Sequence, residues 1–283
     1  MTSRPDPKRL VIATRESALA LWQAEHVKSR LQALYPSCEV VLLGLTTQGD
    51  RVLDQALADI GGKGLFIKEL EVAMAEGRAD LAVHSLKDVP MEMPAGFTLA
   101  AITEREDPRD ALCGAAAIEP GMRIGTASVR RRAQLLALEP SLSIEPLRGN
   151  IDTRLRKRGE RGLDAIVLAA AGLERLGLAH EIGLRFDPEQ LLPEAGQGSL
   201  ALQVRAGDEQ LVEAIDAAET RRRVESERAC VARMGGGCLA PVAAFHDGET
   251  LTALVADEDG RWLERRQGDD PEAVAAELAP FLP

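Results

Sequence analysis

The chain has 283 residues, of which 45% are hydrophobic and 28% charged, and its formal net charge is −11. That length exceeds one ordinary α/β core and predicts two or three domains, while the acidic balance argues against a general nucleic-acid or membrane-surface protein. No apolar run reaches membrane-spanning length and the first residues carry no apolar leader, so the expected location is the cytoplasm.

In chain order, Leu10-Val11-Ile12-Ala13 reads as a strand ending in Thr14-Arg15-Glu16-Ser17. Ser17 is placed to N-cap a helix running to about Leu34, with Leu21, Val27, Leu31 and Leu34 on its apolar side. Val40 to Leu45 is the next strand. Gly61-Gly62-Lys63-Gly64 then feeds an amphipathic helix, Phe66 to Ala75. A glycine loop at a helix start suits an anion, with Lys63 adding charge; a plain flexible turn is the alternative, and the Walker A pattern is absent.

Leu81-Ala82-Val83 is a short buried strand, and His84-Ser85-Leu86-Lys87-Asp88-Val89-Pro90 must turn within a few residues, because Pro90 cannot extend a central strand. A hydroxyl, an ammonium and a carboxylate thus fall at the carboxyl end of a strand, where open α/β sheets hold ligands. Asp88 beside Lys87 suits acid/base work or stabilisation of a cation. Taken alone, the stretch favours the plainer reading, a polar turn with a solvated charge pair; the rest of the chain supplies the complementary parts.

Leu99 to Ile102 is a further strand, and the charged run Thr103 to Asp110 marks a crossing between domains. A second α/β pattern follows: strand Ile124 to Thr126, helix Val129 to Leu138, strand Ile144 to Leu147, helix Ile151 to Arg158, strand Asp164 to Ala169 and a short helix from Gly172. Residues 120–180 carry eleven Arg or Lys against six Asp or Glu, a local +5 in an acidic chain. Arg156, Lys157, Arg158 and Arg161 fit a solvated helix face. Arg130, Arg131, Arg132, Arg148, Arg154 and Arg175 instead sit near strand-to-helix junctions, where guanidiniums grip carboxylates or phosphates.

Leu192 to Gly198 reads as a return crossing; Gly196 to Ala201 formally matches a dinucleotide fingerprint but lacks the preceding strand. A helix from Glu219 to Met234 stops at Gly235-Gly236-Gly237. Strands Val242 to Phe245, Leu251 to Ala256 and Arg261 to Arg265, with helix Pro271 to Leu282, complete a small α+β domain. His26, His84, His180 and His246 fall at no ligand spacing, which predicts no protein-bound metal. Cys38, Cys113 and Cys230 read as buried and inert, whereas Cys238, on a glycine loop, suits a reactive thiolate. This inventory describes a site for a polyanionic organic substrate.

The motifs VIATRES-ALALWQA (11–24), GGKGLFIKELE (61–71), HSLKDVP (84–90), EREDPRDA (104–111), GTASVRR (125–131), LRGNIDTRL (147–155), LAAAGLERLGL (168–178), AGQG (195–198) and GGGCLAP (235–241) resemble those of the porphobilinogen deaminase, or hydroxymethylbilane synthase, family over nearly the whole chain. The resemblance implies an α/β fold of two doubly wound, periplasmic-binding-protein-like domains plus a small α+β C-terminal domain, with the active-site cleft between the first two. On this chain the domains would be 1–103 with 197–217, then 104–196, then 218–283. It implies a dipyrromethane cofactor on the loop cysteine, here Cys238, to which four porphobilinogens are added with loss of ammonia before the linear tetrapyrrole is hydrolysed off. The catalytic aspartate matches Asp88. Binding positions match Arg15, Ser17, Lys63, Ser85, Lys87, Thr126, Ser128, Arg130, Arg131, Arg148, Arg154, Arg175 and Gln197. Many relatives have an acidic residue where Gly235 stands, and some a lysine where Asp59 stands. A monomer without nucleic-acid or membrane partner is the family expectation. The rival is a non-catalytic binder of small anions with the same fold, for which Cys238 on its loop has no use.

Overall fold

The computed structural model describes residues 6–47, 49, 67–236 and 241–282. Lys63, Cys238, Asp59 and the expected helix start at Phe66 lie outside the described residues. The described residues pack as two compact units: one of 6–47, 49, 67–104 and 199–221, the other of 105–198, 222–236 and 241–282.

In the first unit, β1 (Arg9–Arg15), β2 (Glu39–Leu45), β3 (Leu81–Ser85), β4 (Phe97–Ile102) and β10 (Leu200–Arg205) form a sheet in the order β2-β1-β3-β10-β4. β1 is parallel to β2 and β3, and β10 runs antiparallel to both β3 and β4. Alternation along β1 decides what covers each face. Leu10 and Ile12 pack with Ala24, Val27 and Leu31 of α1 (Ala18–Leu34), while Val11 and Ala13 pack with Leu70, Ala73 and Met74 of α2 (Lys68–Ala75). The sheet is therefore covered on both faces. The apolar side of α1 differs from expectation, since Leu21 and Leu34 are exposed and Gln23 is buried. Leu21 lies on the flank of the Ala24–Val27–Leu31 stripe and Leu34 is the last helical residue; Gln23 is drawn in by a hydrogen bond to Ser85.

The second unit repeats the pattern with β5 (Asp110–Cys113), β6 (Arg123–Gly125), β7 (Ser143–Glu145), β8 (Ala165–Ala169) and β9 (Ile182–Arg185), ordered β7-β6-β8-β5-β9. β6 is parallel to β7 and β8, and β5 is antiparallel to β8 and β9. In both sheets the antiparallel strand follows a crossing segment: β5 after the charged run, β10 after Gly198. One face carries α4 (Ile151–Glu160) and α5 (Ala170–Arg175), through Ile151, Leu155 and Leu173; the other carries Leu135 of α3 (Val129–Leu138) with Phe186 and Leu191.

A third, antiparallel sheet, β11 (Val242–His246), β12 (Leu251–Ala256) and β13 (Leu263–Gly268), follows α6 (Ala218–Arg233) and packs with α7 (Pro271–Leu278). Ala243, Leu254 and Ala256 meet Ala133 of α3. Gly260, at φ +70°, lets the β12–β13 turn touch α3, where a Cβ would stand 2.6 Å from the Ala133 carbonyl oxygen. β13 begins later than expected, because Arg261 folds back onto the Asp257 carboxylate. α7 also ends before Leu282: the chain tightens into a 3-10 turn, Ala279–Phe281, around Pro280.

Candidate active site

In the first unit, β3 ends at Ser85 and the chain turns at once through a 3-10 turn, Leu86–Asp88. The Leu86 amide donates to the Ser199 carbonyl and the Val89 amide to that of Leu86, both at 3.0 Å. Leu86 and Val89 are fully buried, so apolar anchors fix a turn that leaves Lys87 and Asp88 half-buried at the strand's carboxyl end. Ser85 Oγ accepts from Gln23 Nε2 at 2.8 Å. Arg15 closes β1, the neighbouring strand. Ser17 N-caps α1, its Oγ accepting from the Ala20 amide at 3.3 Å.

His84, one residue before Ser85, is buried with Nε2 2.8 Å from Gln203 Oε1. Gln203 donates through Nε2 to Glu71 Oε1 at 2.9 Å, so its carbonyl oxygen is the face offered to His84. The imidazole is therefore the donor, with its proton on Nε2. Burial pushes the His84 pKa down to about 4; Gln203 and Asp88 oppose the shift and Arg15 adds to it. Sequence reasoning missed this chain of three side chains. His84 stood inside the HSLKDVP motif, but Gln203 lies 119 residues away.

In the second unit, Thr126 follows β6 and Ser128 N-caps α3. Thr126 Oγ1 accepts from the Ser128 amide at 3.2 Å, and Ser128 Oγ from the Arg131 amide at 3.4 Å. This turn aims Arg130 and Arg131 at Asp110, the first residue of β5. Arg130 Nη1 donates to Asp110 Oδ2 at 2.8 Å, and Arg131 donates to Oδ1 through Nε at 3.0 Å and Nη2 at 2.6 Å. Gln197 Nε2 adds a bond to Oδ1 at 2.9 Å and one to the Pro108 carbonyl at 2.6 Å. Asp110 is fully buried, and Arg130 and Arg131 are 4% and 5% exposed. Burial pushes the Asp110 carboxyl up, but the two guanidiniums outweigh it and hold the group well below the usual carboxylate range. Arg130 Nε and Nη2 are buried with no hydrogen-bond partner among the described residues. Asp110, on which Arg130, Arg131 and Gln197 converge, was missed by sequence reasoning; its one signal was its place in EREDPRDA.

Arg175 closes α5, donating through Nε to Glu106 Oε2 and through Nη2 to the Gly198 carbonyl, both at 2.8 Å. Burial pulls its pKa below the ordinary guanidinium value against the opposing Glu106. Arg148 and Arg154 lie on another loop and helix: Arg154 Nε donates to the Gly149 carbonyl at 2.6 Å, and the Arg148 carbonyl accepts from Lys157 Nζ at 3.2 Å. Gly149, at φ +119°, has room for no Cβ, which would stand 2.7 Å from Thr153 Cγ2.

α6 leads toward Cys238. Its end is a Schellman motif: the Gly235 amide donates to the Ala232 carbonyl at 3.1 Å and the Gly236 amide to the Val231 carbonyl at 2.9 Å, with Gly235 at φ +66°.

Two family descriptions cover this chain. "Porphobilinogen deaminase, dipyromethane cofactor binding domain" matches residues 10–213 and "Porphobilinogen deaminase, C-terminal domain" matches residues 221–280. The chain belongs to the porphobilinogen deaminase family. It is 53% identical to the porphobilinogen deaminase of Chromobacterium violaceum over 282 residues, covering 95% of this chain and 91% of the relative. The enzymes of Paraburkholderia phymatum and Methylobacillus flagellatus are 52% and 51% identical, over 95% and 98% of this chain and 86% and 94% of their own. Among solved structures, the aliphatic sulphonate binding protein SsuA of Escherichia coli gives a TM-score of 0.41 at 12% identity, over 81% of this chain and 71% of that one. A likeness that distant carries no assignment.

Proposed function

We propose that this member of the porphobilinogen deaminase family uses Asp88 as its catalytic carboxylate and Cys238 as the anchor of its cofactor. The activity is that of the family: a transferase that joins four porphobilinogens head to tail, releasing ammonia at each step and hydroxymethylbilane by hydrolysis, in tetrapyrrole biosynthesis. The observation that carries the residue assignment is the Leu86–Asp88 turn, which holds one carboxylate at the end of β3 beside a buried neutral imidazole. Loss of ammonia from the aminomethyl group of porphobilinogen leaves a cation on the pyrrole, and a carboxylate fixed before the reaction stabilises it without reorganisation. Arg15 and Lys87 neutralise substrate carboxylates near that charge, and Ser17 and Ser85 add hydroxyl contacts.

The residues of the second unit fit dipyrromethane, whose rings carry acetate and propionate groups. Arg130 supports this directly, since its buried Nε and Nη2 hydrogens have no partner among the described residues. Arg130, Arg148, Arg154 and Arg175, with Thr126, Ser128 and Gln197 and with Lys63 from the first part of the chain, would hold it and the growing chain, and Arg131 would serve through the Asp110 carboxylate that it shares with Arg130. When bound through Cys238, the cofactor supplies the pyrrole ring on which the product is built. The thiolate suits that anchorage as a strong nucleophile.

The finer organisation is likewise our reading. Three domains, 1–103 with 197–217, 104–196 and 218–283, are supported by the three separate sheets. A cytoplasmic monomer without nucleic-acid or membrane partner is our reading of the net charge of −11; no helix among the described residues is long and apolar enough to cross a membrane. Intact-mass analysis of purified protein tests the assignment: wild type should carry two pyrrole units mapped to Cys238, and Cys238→Ser should carry none. An active wild type with no adduct would overturn it.

A further inference from the structure

Arg130 and Arg131 are adjacent in sequence, yet their nitrogens are used differently. Every nitrogen of Arg131 donates to the protein: Nε and Nη2 to Asp110, and Nη1 to the Val167 carbonyl at 3.0 Å. Among the described residues, Arg130 is hydrogen-bonded through Nη1 alone, to Asp110 and to the Leu192 carbonyl at 2.7 Å, and its buried Nε and Nη2 hydrogens meet no acceptor. A buried guanidinium with unmet hydrogens is costly unless an anion completes it. Glu194 attracts Arg130 electrostatically but accepts neither the Nε nor the Nη2 hydrogens.

Charge counting points the same way. Two guanidiniums and one carboxylate give the hydrogen-bonded cluster a formal charge of +1, which a single further carboxylate cancels. Resting on the functional reading above, we infer that Asp110 and Arg131 are a positioning pair: Arg131 neutralises and clamps Asp110, and Asp110 holds Arg130 as a receptor for one carboxylate of the pyrrole chain. Without Arg131, Asp110 has Arg130 as its one counter-ion, the cluster becomes neutral and the receptor closes.

This division of roles makes the two substitutions oppose each other. Arg131→Gln alone leaves Asp110 and Arg130 as a self-neutralised pair. Adding Asp110→Asn removes the competing carboxylate, keeps an amide of the same shape and restores +1. The test is intact-mass measurement of pyrrole adduct per folded protein in the full chain, with thermal unfolding to define the folded fraction. Arg131→Gln should carry less than a tenth of the wild-type adduct, and Arg131→Gln/Asp110→Asn at least half of it. Arg130→Gln should carry less than a tenth in either background. A double variant no better than Arg131→Gln, whether through lost folding or lost adduct, would overturn the inference, because a purely structural Asp110 can only make a second loss worse. Wild type without any adduct would instead refute the functional reading on which it rests.

Discussion

Glu227 is fully buried and holds Arg105 through both carboxylate oxygens, at 2.5 and 3.2 Å. The same oxygens accept from the amides of Gly196 and His246, each at 2.8 Å, so α6, the AGQG segment and β11 meet on one side chain. Removing one partner of a buried ion pair leaves the other uncompensated. Glu227→Ala should therefore cost about 3–5 kcal/mol of unfolding free energy, read from urea midpoints; a loss below 1 kcal/mol would mean that the three segments are held by other contacts.

The end of α6 sets a second expectation. At Gly235 a Cβ meets nothing within 4 Å, so Gly235→Ala carries only the cost of its left-handed backbone, about 1–2 kcal/mol. At Gly236 a Cβ would stand 2.5 Å from Val231 Cγ1 and 2.8 Å from both the Val231 carbonyl oxygen and Val242 Cγ2. Crowding of this kind costs about 1–3 kcal/mol and displaces the backbone. Gly236→Ala should consequently lower cofactor loading, whereas Gly235→Ala should lower thermal stability with loading intact. Mass spectrometry and thermal unfolding of both variants separate the two effects.

His84 gives a pH signature. Its folded pKa, about 4, lies below the ordinary histidine value of 6.5, so the unfolded chain takes up a proton that the folded one refuses. Its contribution to stability is full above pH 6.5 and is lost as pH falls toward 4. At about 1.4 kcal/mol per pH unit the loss approaches 3 kcal/mol. Urea unfolding between pH 7 and 4.5 should show this fall, and His84→Gln should flatten it. An unchanged slope in the variant would place the titration elsewhere.

The arginines also divide. Arg148 is half-buried on the loop after β7, whereas the Arg156 side chain is 61% exposed and pairs with Glu160. Loss of a charge-assisted carboxylate contact costs about 1.5–3 kcal/mol, so Arg148→Leu should raise KM for porphobilinogen at least tenfold or stall the enzyme-bound chain at a defined length. Arg156→Leu should match wild type. Equal kinetics in the two would remove Arg148 from the binding set.

What was legible in the sequence was local. Ser17 as a cap, the Leu81–Val83 strand with its turn at Pro90 and the glycine stop after α6 each follow from neighbouring residues, and each stands where expected. β5 was not legible: Asp110-Ala111-Leu112-Cys113 is short, begins with a charge and follows a run that looks solvated. β9, Ile182-Gly183-Leu184-Arg185, hides for the same reason, with a glycine inside a four-residue strand. Both sit at the antiparallel side of their sheet, where no helix period flanks them. The Asp110 cluster draws its members from 20, 21 and 87 residues away, and such pairings leave no trace in spacing. The motifs named the arginines, but only the fold reveals that Arg130 and Arg131 share one buried carboxylate.

Asp88 is where the mechanism stands or falls. Asp88→Asn preserves the size of the side chain and removes its charge; Asp88→Glu keeps the charge but moves it by one methylene, which in a preorganised site slows the reaction without abolishing it. Both variants should fold, because Asp88 is half-buried and the turn is anchored by Leu86 and Val89. The direct measurement is single-turnover ammonia release from porphobilinogen by cofactor-loaded enzyme. The predicted order is wild type, then Asp88→Glu, then Asp88→Asn, with the last slower than wild type by at least a hundredfold. Ammonia release at a near-normal rate from folded, cofactor-loaded Asp88→Asn would contradict the assignment.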